Sequence, residues 1–347
     1  MIDSRSKRRS VRINLVLGSI LVLTLLKSGL AVKKNKPCVT PVGKPGRCVH
    51  FWECQVPPPQ DEHEALLHGS VCGHSEGSPL VCCEPLLPNP PYCGVAASAP
   101  QFGVQETRIG EFPWTALIEY ERSNGHLGYH CAGSLINQRY VVTAANCVSG
   151  IPACWRVHGV RLGEWDFSTS DVCNGAHSAP WPIDMGIEQI IVHSGYDRMD
   201  ERQVNDIALV RLASDVQYTA HIQPICLPFP KGTTSVAYAV GWGITAKGVA
   251  THRKMKTILT VYNEDEYFSV YKCSKFNLTS SQMCARALGV HRTSTCDPGG
   301  QLVHYHEQEY YLFGVNSFGL QNCGSGDSPV VFTKVADYID WIESTIY

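Results

Sequence analysis

From residue 101 onward the apolar positions fall in short runs of β-branched and aromatic residues, each bounded by turn formers. The runs are YVVTAA from Tyr140, DIALVRL from Asp206, SVAYAVGWG from Ser235, YYLFGVNSFG from Tyr310 and PVVFTKV from Pro329. Many short strands at this spacing predict an all-β barrel or sandwich. The period changes only at the end, where Val335, Ile339, Ile342 and Ile346 recur at helical spacing beside Tyr338 and Trp341. That predicts one C-terminal helix packed on the barrels. At the other end, Leu15 to Leu26 is a mostly apolar stretch preceded by Arg5, Lys7, Arg8, Arg9 and Arg12 and followed by the small residues Gly29 and Ala31. Residues 1–31 therefore read as a secretory signal peptide; the rival reading, a signal anchor, is weakened by an apolar part shorter than a bilayer span.

Composition narrows the class. The chain has 347 residues, 44% of them apolar and 17% charged, with a formal charge of -2. Without residues 1–31 it keeps 23 basic and 30 acidic side chains, a charge near -7. Such a balance carries no basic excess for phosphate backbones, so no nucleic-acid partner is expected. No membrane span is expected in the mature chain. The 16 cysteines point to an oxidising, extracellular compartment.

Six of these cysteines, Cys38, Cys48, Cys54, Cys72, Cys82 and Cys83, crowd into residues 38–83. So short a segment cannot bury enough surface to fold unaided, and crosslinks must substitute for a core. Six cysteines allow fifteen pairings. A zinc reading of Cys82 and Cys83 with His74 lacks the usual ligand spacing; no metal and no cofactor is expected. The spacing, with its doubled final cysteine, resembles the clip domain of arthropod secreted proteases, which implies the pairs Cys38–Cys82, Cys48–Cys72 and Cys54–Cys83. Residues 84–100 hold five prolines and no periodic pattern, a linker extended at its Pro-rich start.

The segments EFPWTALIEY (111–120), CAGSLINQRYVVTAANC (131–147), VRLGEWD (160–166), NDIALVRL (205–212), PICLP (224–228), VGWG (240–243) and VFTKVADYIDWI (331–342) together resemble a trypsin-type serine protease domain over 101–347. The resemblance implies two six-stranded antiparallel barrels with a cleft between them and a C-terminal helix. It also implies the disulfides Cys93–Cys226, Cys131–Cys147, Cys273–Cys284 and Cys296–Cys323. Cys154 and Cys173 are left over and are expected to bridge a surface loop. One family bridge is lost at both ends, with Ala237 and His304 at its positions.

The catalytic positions depart from the family. Its Ala-Ala-His-Cys stands here as Ala144-Ala145-Asn146-Cys147, which replaces the general base by an amide that accepts no proton at physiological pH. Asp206 survives, with no imidazole to orient. In place of Gly-Asp-Ser-Gly-Gly the chain has Cys296-Asp297-Pro298-Gly299-Gly300, so Pro298 occupies the nucleophile position. Proline brings neither a hydroxyl nor the backbone N–H that holds the oxyanion. Ser328 lacks the following Gly-Gly, and His291, His304 and His306 have no nucleophile to serve. The resemblance places the activation cut before Gln101, yet Pro100 precedes it and no basic residue does. Asn277-Leu278-Thr279 is a glycosylation sequon.

The whole chain is therefore similar to a clip-domain serine protease homologue that lacks catalysis. The resemblance implies a secreted haemolymph regulator in innate immunity, with extracellular clip-domain proteases or prophenoloxidase as partners and melanisation as the pathway. The alternatives are a recognition module for microbial surfaces and a serine endopeptidase working by unrecognised chemistry.

Overall fold

The computed structural model describes residues 37–41, 45–50, 70–75, 78–83, 87–88, 90–96, 105–168, 181–228, 234–242, 251–262, 278–287, 297–319 and 329–346. The chain divides into two compact units, Met1–Glu84 and Pro85–Tyr347.

In the first unit, β1 (Pro37–Val39), β2 (Pro45–His50), β3 (Val71–Ser75) and β4 (Ser78–Cys83) form one antiparallel sheet in the order β1-β2-β4-β3. Disulfides join Cys38 to Cys82 and Cys48 to Cys72. Cys83 is also disulfide-bonded; its expected partner Cys54 lies outside the described residues. Cys48, Leu80, Val81, Cys82 and Cys83 are buried, so sulfur supplies much of what little core there is. Bonded sulfurs offer no thiolate to zinc.

Part of the stretch expected as a linker is held against the second unit. Leu87 joins its main core and Cys93 is bonded to Cys226. Gly94 donates its N–H to Pro224 O at 2.8 Å and accepts from Tyr310 N–H at 2.9 Å. Its φ of +67° and a Cβ position only 2.3 Å from Tyr310 O require glycine there.

The second unit contains both expected barrels. The first is closed in the order β10-β11-β8-β7-β6-β9 from β6 (Thr115–Arg122), β7 (Leu127–Leu135), β8 (Tyr140–Thr143), β9 (Trp155–Leu162), β10 (Ile183–Val192) and β11 (Ala208–Leu212). The second uses β12 (Val236–Gly241), β13 (Met255–Tyr262), β14 (Gln282–Ala287), β15 (Gln301–His306), β16 (Glu309–Gly319) and β17 (Val330–Lys334), and closes through β12–β13. A short β5 (Gln105–Glu106) adds to β13. After β8 comes the single-turn helix α1 (Ala145–Ser149), and the chain ends in a 3-10 turn (Val335–Tyr338) and α2 (Ile339–Thr345). Val335, Tyr338, Ile342 and Ile346 are buried in the main core, to which both barrels contribute, as the helical spacing implied.

Cys131 and Cys147 are bonded, and Cys284 is disulfide-bonded. Cys273, Cys296, Cys323 and Asn277 lie outside the described residues. Cys154, expected to bridge to Cys173, is an exposed free thiol in the turn before β9; Cys173 lies outside the described residues. That pairing rested on elimination, which counts cysteines but carries no distance between Cα atoms, and distance decides whether a bridge closes. Where the family bridge is missing, Ala237 is buried in an apolar cluster and His304 is hydrogen-bonded to Thr234.

Buried charge ties the segment before β6 to the second barrel. Lys256 on β13 is paired with Glu111, and both side chains are 1% exposed. Next to it, Lys254 Nζ donates to Phe112 O at 3.2 Å, where Phe112 has a φ of 59°, a costly backbone state for a bulky residue. Removing one member of a buried pair strands the other, whereas removing both does not. Lys256→Ala is expected to lower the unfolding free energy by about 3–5 kcal/mol in urea titrations, and the double substitution Lys256→Met, Glu111→Leu by clearly less. A double variant weaker than the single one would contradict this.

Candidate active-site cleft

Four segments meet between the barrels. The first barrel contributes α1 and the loop before β11; the second contributes the 297–300 turn and the middle of β16. Ala144, extended between β8 and α1, caps the helix, which turns Asn146 toward Asp206.

Asp206 is fully buried. Its Oδ1 accepts the Asn146 backbone N–H at 2.8 Å, and its Oδ2 accepts Asn146 Nδ2 at 2.7 Å and Ser317 Oγ. Burial raises its pKa from 3.8 to about 6, with the hydrogen bonds from Ser317, Asn146 and the Ala145 backbone opposing that rise. Asp206 is thus engaged: it orients an amide where the family orients an imidazole. Asn146 Nδ2 also donates to Ser317 O at 2.9 Å. Both amide hydrogens are spent on these two acceptors, so the side chain is pinned and its carbonyl is left as the only group it can offer the cleft.

Pro298 stands opposite on a turn whose backbone is committed inward. Its carbonyl accepts Ala132 N–H at 2.9 Å, Gly299 N–H donates to Asn316 O at 2.8 Å and Gly300 N–H donates to Asp297 O at 2.9 Å. Pro298 has no N–H at all. Gly299 has φ +73°, and a Cβ there would lie 2.3 Å from Thr143 Oγ1, so glycine is required for the turn to reach the first barrel. The Asp297 carboxylate accepts Trp242 N–H at 2.7 Å; burial pushes its pKa up to about 6 against that bond. A Cβ on Gly241 would sit 2.0 Å from Asp297 Oδ2, which explains the glycine in VGWG.

The resemblance named Asn146, Asp206 and Pro298, and the fold brings all three into one cleft. It did not name Ser317, which completes the shell of Asp206, nor Asn316, whose Nδ2 donates to Asp297 O at 3.0 Å. Their signal was two consecutive polar residues inside the otherwise apolar YYLFGVNSFG, both buried; buried polar side chains in a strand are the informative exceptions. His304 stacks on His306 and bonds Thr234, so neither is engaged with Asp206 or the turn. The 160–166 loop holds its own carboxylates: Asp166 Oδ2 accepts from Arg253 Nε at 2.7 Å and Oδ1 from Ser168, and Glu164 accepts from the Trp165 and Asp166 N–H groups.

Two closed six-stranded barrels that place a buried aspartate, α1 and a Gly-Gly turn in the cleft between them define a trypsin-type domain behind a disulfide-bonded clip unit. The trypsin family model matches residues 101–342 and the regulatory CLIP domain of proteinases matches 38–83. The chain belongs to the clip-domain trypsin family. It is similar to CLIP domain-containing serine protease B4 of Anopheles gambiae, at 42% identity over 96% of this chain and 99% of that one. It is also similar to serine protease ea of Drosophila melanogaster, at 37% over 89% and 90%, and to phenoloxidase-activating factor 3 of Holotrichia diomphalia, at 32% over 94% and 99%. The crystal structure of the Drosophila Grass clip serine protease of the Toll pathway is similar with a TM-score of 0.63 and 27% identity, covering 90% of this chain and 98% of that one.

The raised carboxyls set a pH dependence. The folded chain holds the Asp206 proton up to about pH 6, whereas the unfolded chain releases it near 3.8. Between those values the folded state binds more protons, so stability falls as pH rises through that window and levels off above it. Asp206→Asn is expected to flatten this slope, by on the order of 1–3 kcal/mol across the window, with the remainder belonging to Asp297. Urea unfolding at closely spaced pH values checks it; an unchanged slope in Asp206→Asn would contradict the assignment.

Proposed function

We propose that the chain is a secreted, non-catalytic regulator of an extracellular protease cascade in arthropod innate immunity. In this reading it acts in haemolymph as an adaptor for active clip-domain proteases or for prophenoloxidase. The observation that carries the proposal is the pair Asn146 and Pro298 at the positions of base and nucleophile, in a cleft whose supporting aspartate and turn remain.

Magnitudes support inactivity. Loss of nucleophile or base alone costs on the order of 10⁶ in kcat, and the residue of activity comes from the oxyanion hole and binding. Here the first oxyanion donor is absent at Pro298, and the N–H groups of Gly299 and Gly300 are spent on internal carbonyls. Pro100 before Gln101 gives a trypsin-like activator nothing to cut. An intact fold without chemistry still binds, because docking a protease and its substrate together raises their effective concentration without a catalytic group. Residues 1–31 are the export signal in this reading. Cys54–Cys83, Cys273–Cys284 and Cys296–Cys323 complete the disulfide set, and Asn277 is glycosylated. Relatives named phenoloxidase-activating factor 1 of Holotrichia diomphalia and melanization protease 1 of Drosophila melanogaster support the choice of pathway.

Reconstitution tests it. Purified chain added to an active clip-domain protease and prophenoloxidase is expected to change the rate of phenoloxidase appearance several-fold, saturably with its concentration. An unchanged rate, together with co-sedimentation of the chain with bacterial cell walls, would replace the proposal with a surface-recognition role.

A further inference from the structure

One end of the first barrel carries a cation and aromatic cluster that the cleft does not use. Arg122 ends β6, exposed to solvent. Its guanidinium lies 4.9 Å from the centroid of the Trp155 ring, and its Nη2 is 2.9 Å from His130 Nε2. The His130 and Trp155 rings are 4.4 Å apart. Tyr120 lies 5.7 Å from His130, and its hydroxyl donates to Cys147 O at 2.8 Å, which fixes the base of the cluster next to α1.

The backbone is shaped to make this arrangement. β6 pairs Ile118 with Cys131 and then Glu119 with Tyr129, which leaves His130 as the extra residue of a bulge. Bulges re-aim a side chain at a cost in ladder hydrogen bonds, and this one turns His130 onto Trp155. Burial and the charge of Arg122 both hold the His130 pKa below its ordinary value. A guanidinium has only donors to offer, so the His130 Nε2 that faces it accepts.

An imidazole acceptor supplies no negative charge to Arg122. Arg139, Arg161, Arg202, Arg211 and Arg253 each meet a carboxylate. Arg122 has no ion-pair partner among the described residues and uses one of its five N–H donors on the His130 ring. Glu119 and Glu121, its near neighbours on β6, engage His158 and Arg156 instead. A planar cation already stacked and oriented has lost its rotamer freedom in advance, so a carboxylate that pairs with it gains more per hydrogen bond than at a free side chain.

We propose that Arg122, His130 and Trp155 form a docking surface for an acidic polypeptide segment, a carboxylate pairing with Arg122 and a neighbouring apolar side chain resting on the rings. One isolated cation flanked by aromatic faces suits such a segment better than a polyanion, which needs a row of cations. The inference deepens the regulatory reading by naming how a partner is held, and it rests on that reading.

The probe is a fluorescein-labelled peptide alternating Glu with Phe, read by anisotropy on the full chain at low ionic strength, with a Gln-for-Glu peptide and inorganic polyphosphate as comparators. The Glu peptide is expected to bind and the Gln peptide not. Arg122→Ala should weaken binding about tenfold, Arg122→Lys should fail to restore it because an ammonium does not stack, and Arg198→Ala, at another exposed arginine, should leave it unchanged. No binding, equal binding by Arg122→Ala, or polyphosphate binding that falls equally in the Arg122 and Arg198 variants would overturn the surface. Arg122-dependent peptide binding by a chain that leaves the cascade rate unchanged would keep the surface and remove the regulatory reading.

Discussion

A carboxylate placed in a protein interior must be met by donors or give up its charge, and the cleft of this chain is organised around meeting that demand at Asp206. Four donors from three residues do so: the Asn146 backbone, the Asn146 amide, the Ser317 hydroxyl and the Ala145 backbone. Asparagine at 146 satisfies the same acceptor that an imidazole would, and so the substitution removes proton acceptance without stranding a buried charge. Alanine there would have left Oδ2 one donor short. In the proposed reading the cleft gives up its chemistry and keeps this architecture.

Pro298 acts in the same sense. The turn it sits on is fixed by Ala132, Asn316 and Asp297 through backbone groups, none of which depends on the side chain that was replaced. The neighbouring Gly299 still fits against Thr143, and Gly241 still clears Asp297. Among the described residues of this turn, what Pro298 leaves out is a hydroxyl and an N–H. Barrels, turn and helix are retained, and one end of the first barrel carries the Arg122 cluster, with no carboxylate on Arg122 among the described residues.

Much of this was legible before the structure. The runs from Tyr140, Asp206 and Tyr310 are β-branched and aromatic and became strands; the spacing of Val335, Ile342 and Ile346 became a buried helical end. The cleft residues were legible only through family motifs, because Asn146, Asp206 and Pro298 are far apart in the chain. What escaped were properties of contact. Asp206 looked idle because sequence names a missing imidazole but not the amide that replaces its bond. The pair of Glu111 with Lys256 spans 145 positions, and the bulge that aims His130 leaves no trace in residue type. Cys154 was assigned a partner by counting, and counting does not measure separation.

The central claim is that this cleft cannot carry out acyl transfer. It is tested most directly by incubating the mature chain with a fluorophosphonate probe that modifies activated serines, alongside an active clip-domain protease, and measuring covalent incorporation by mass. The account predicts full labelling of the active protease and none of this chain; stoichiometric labelling at any residue of the cleft would contradict it.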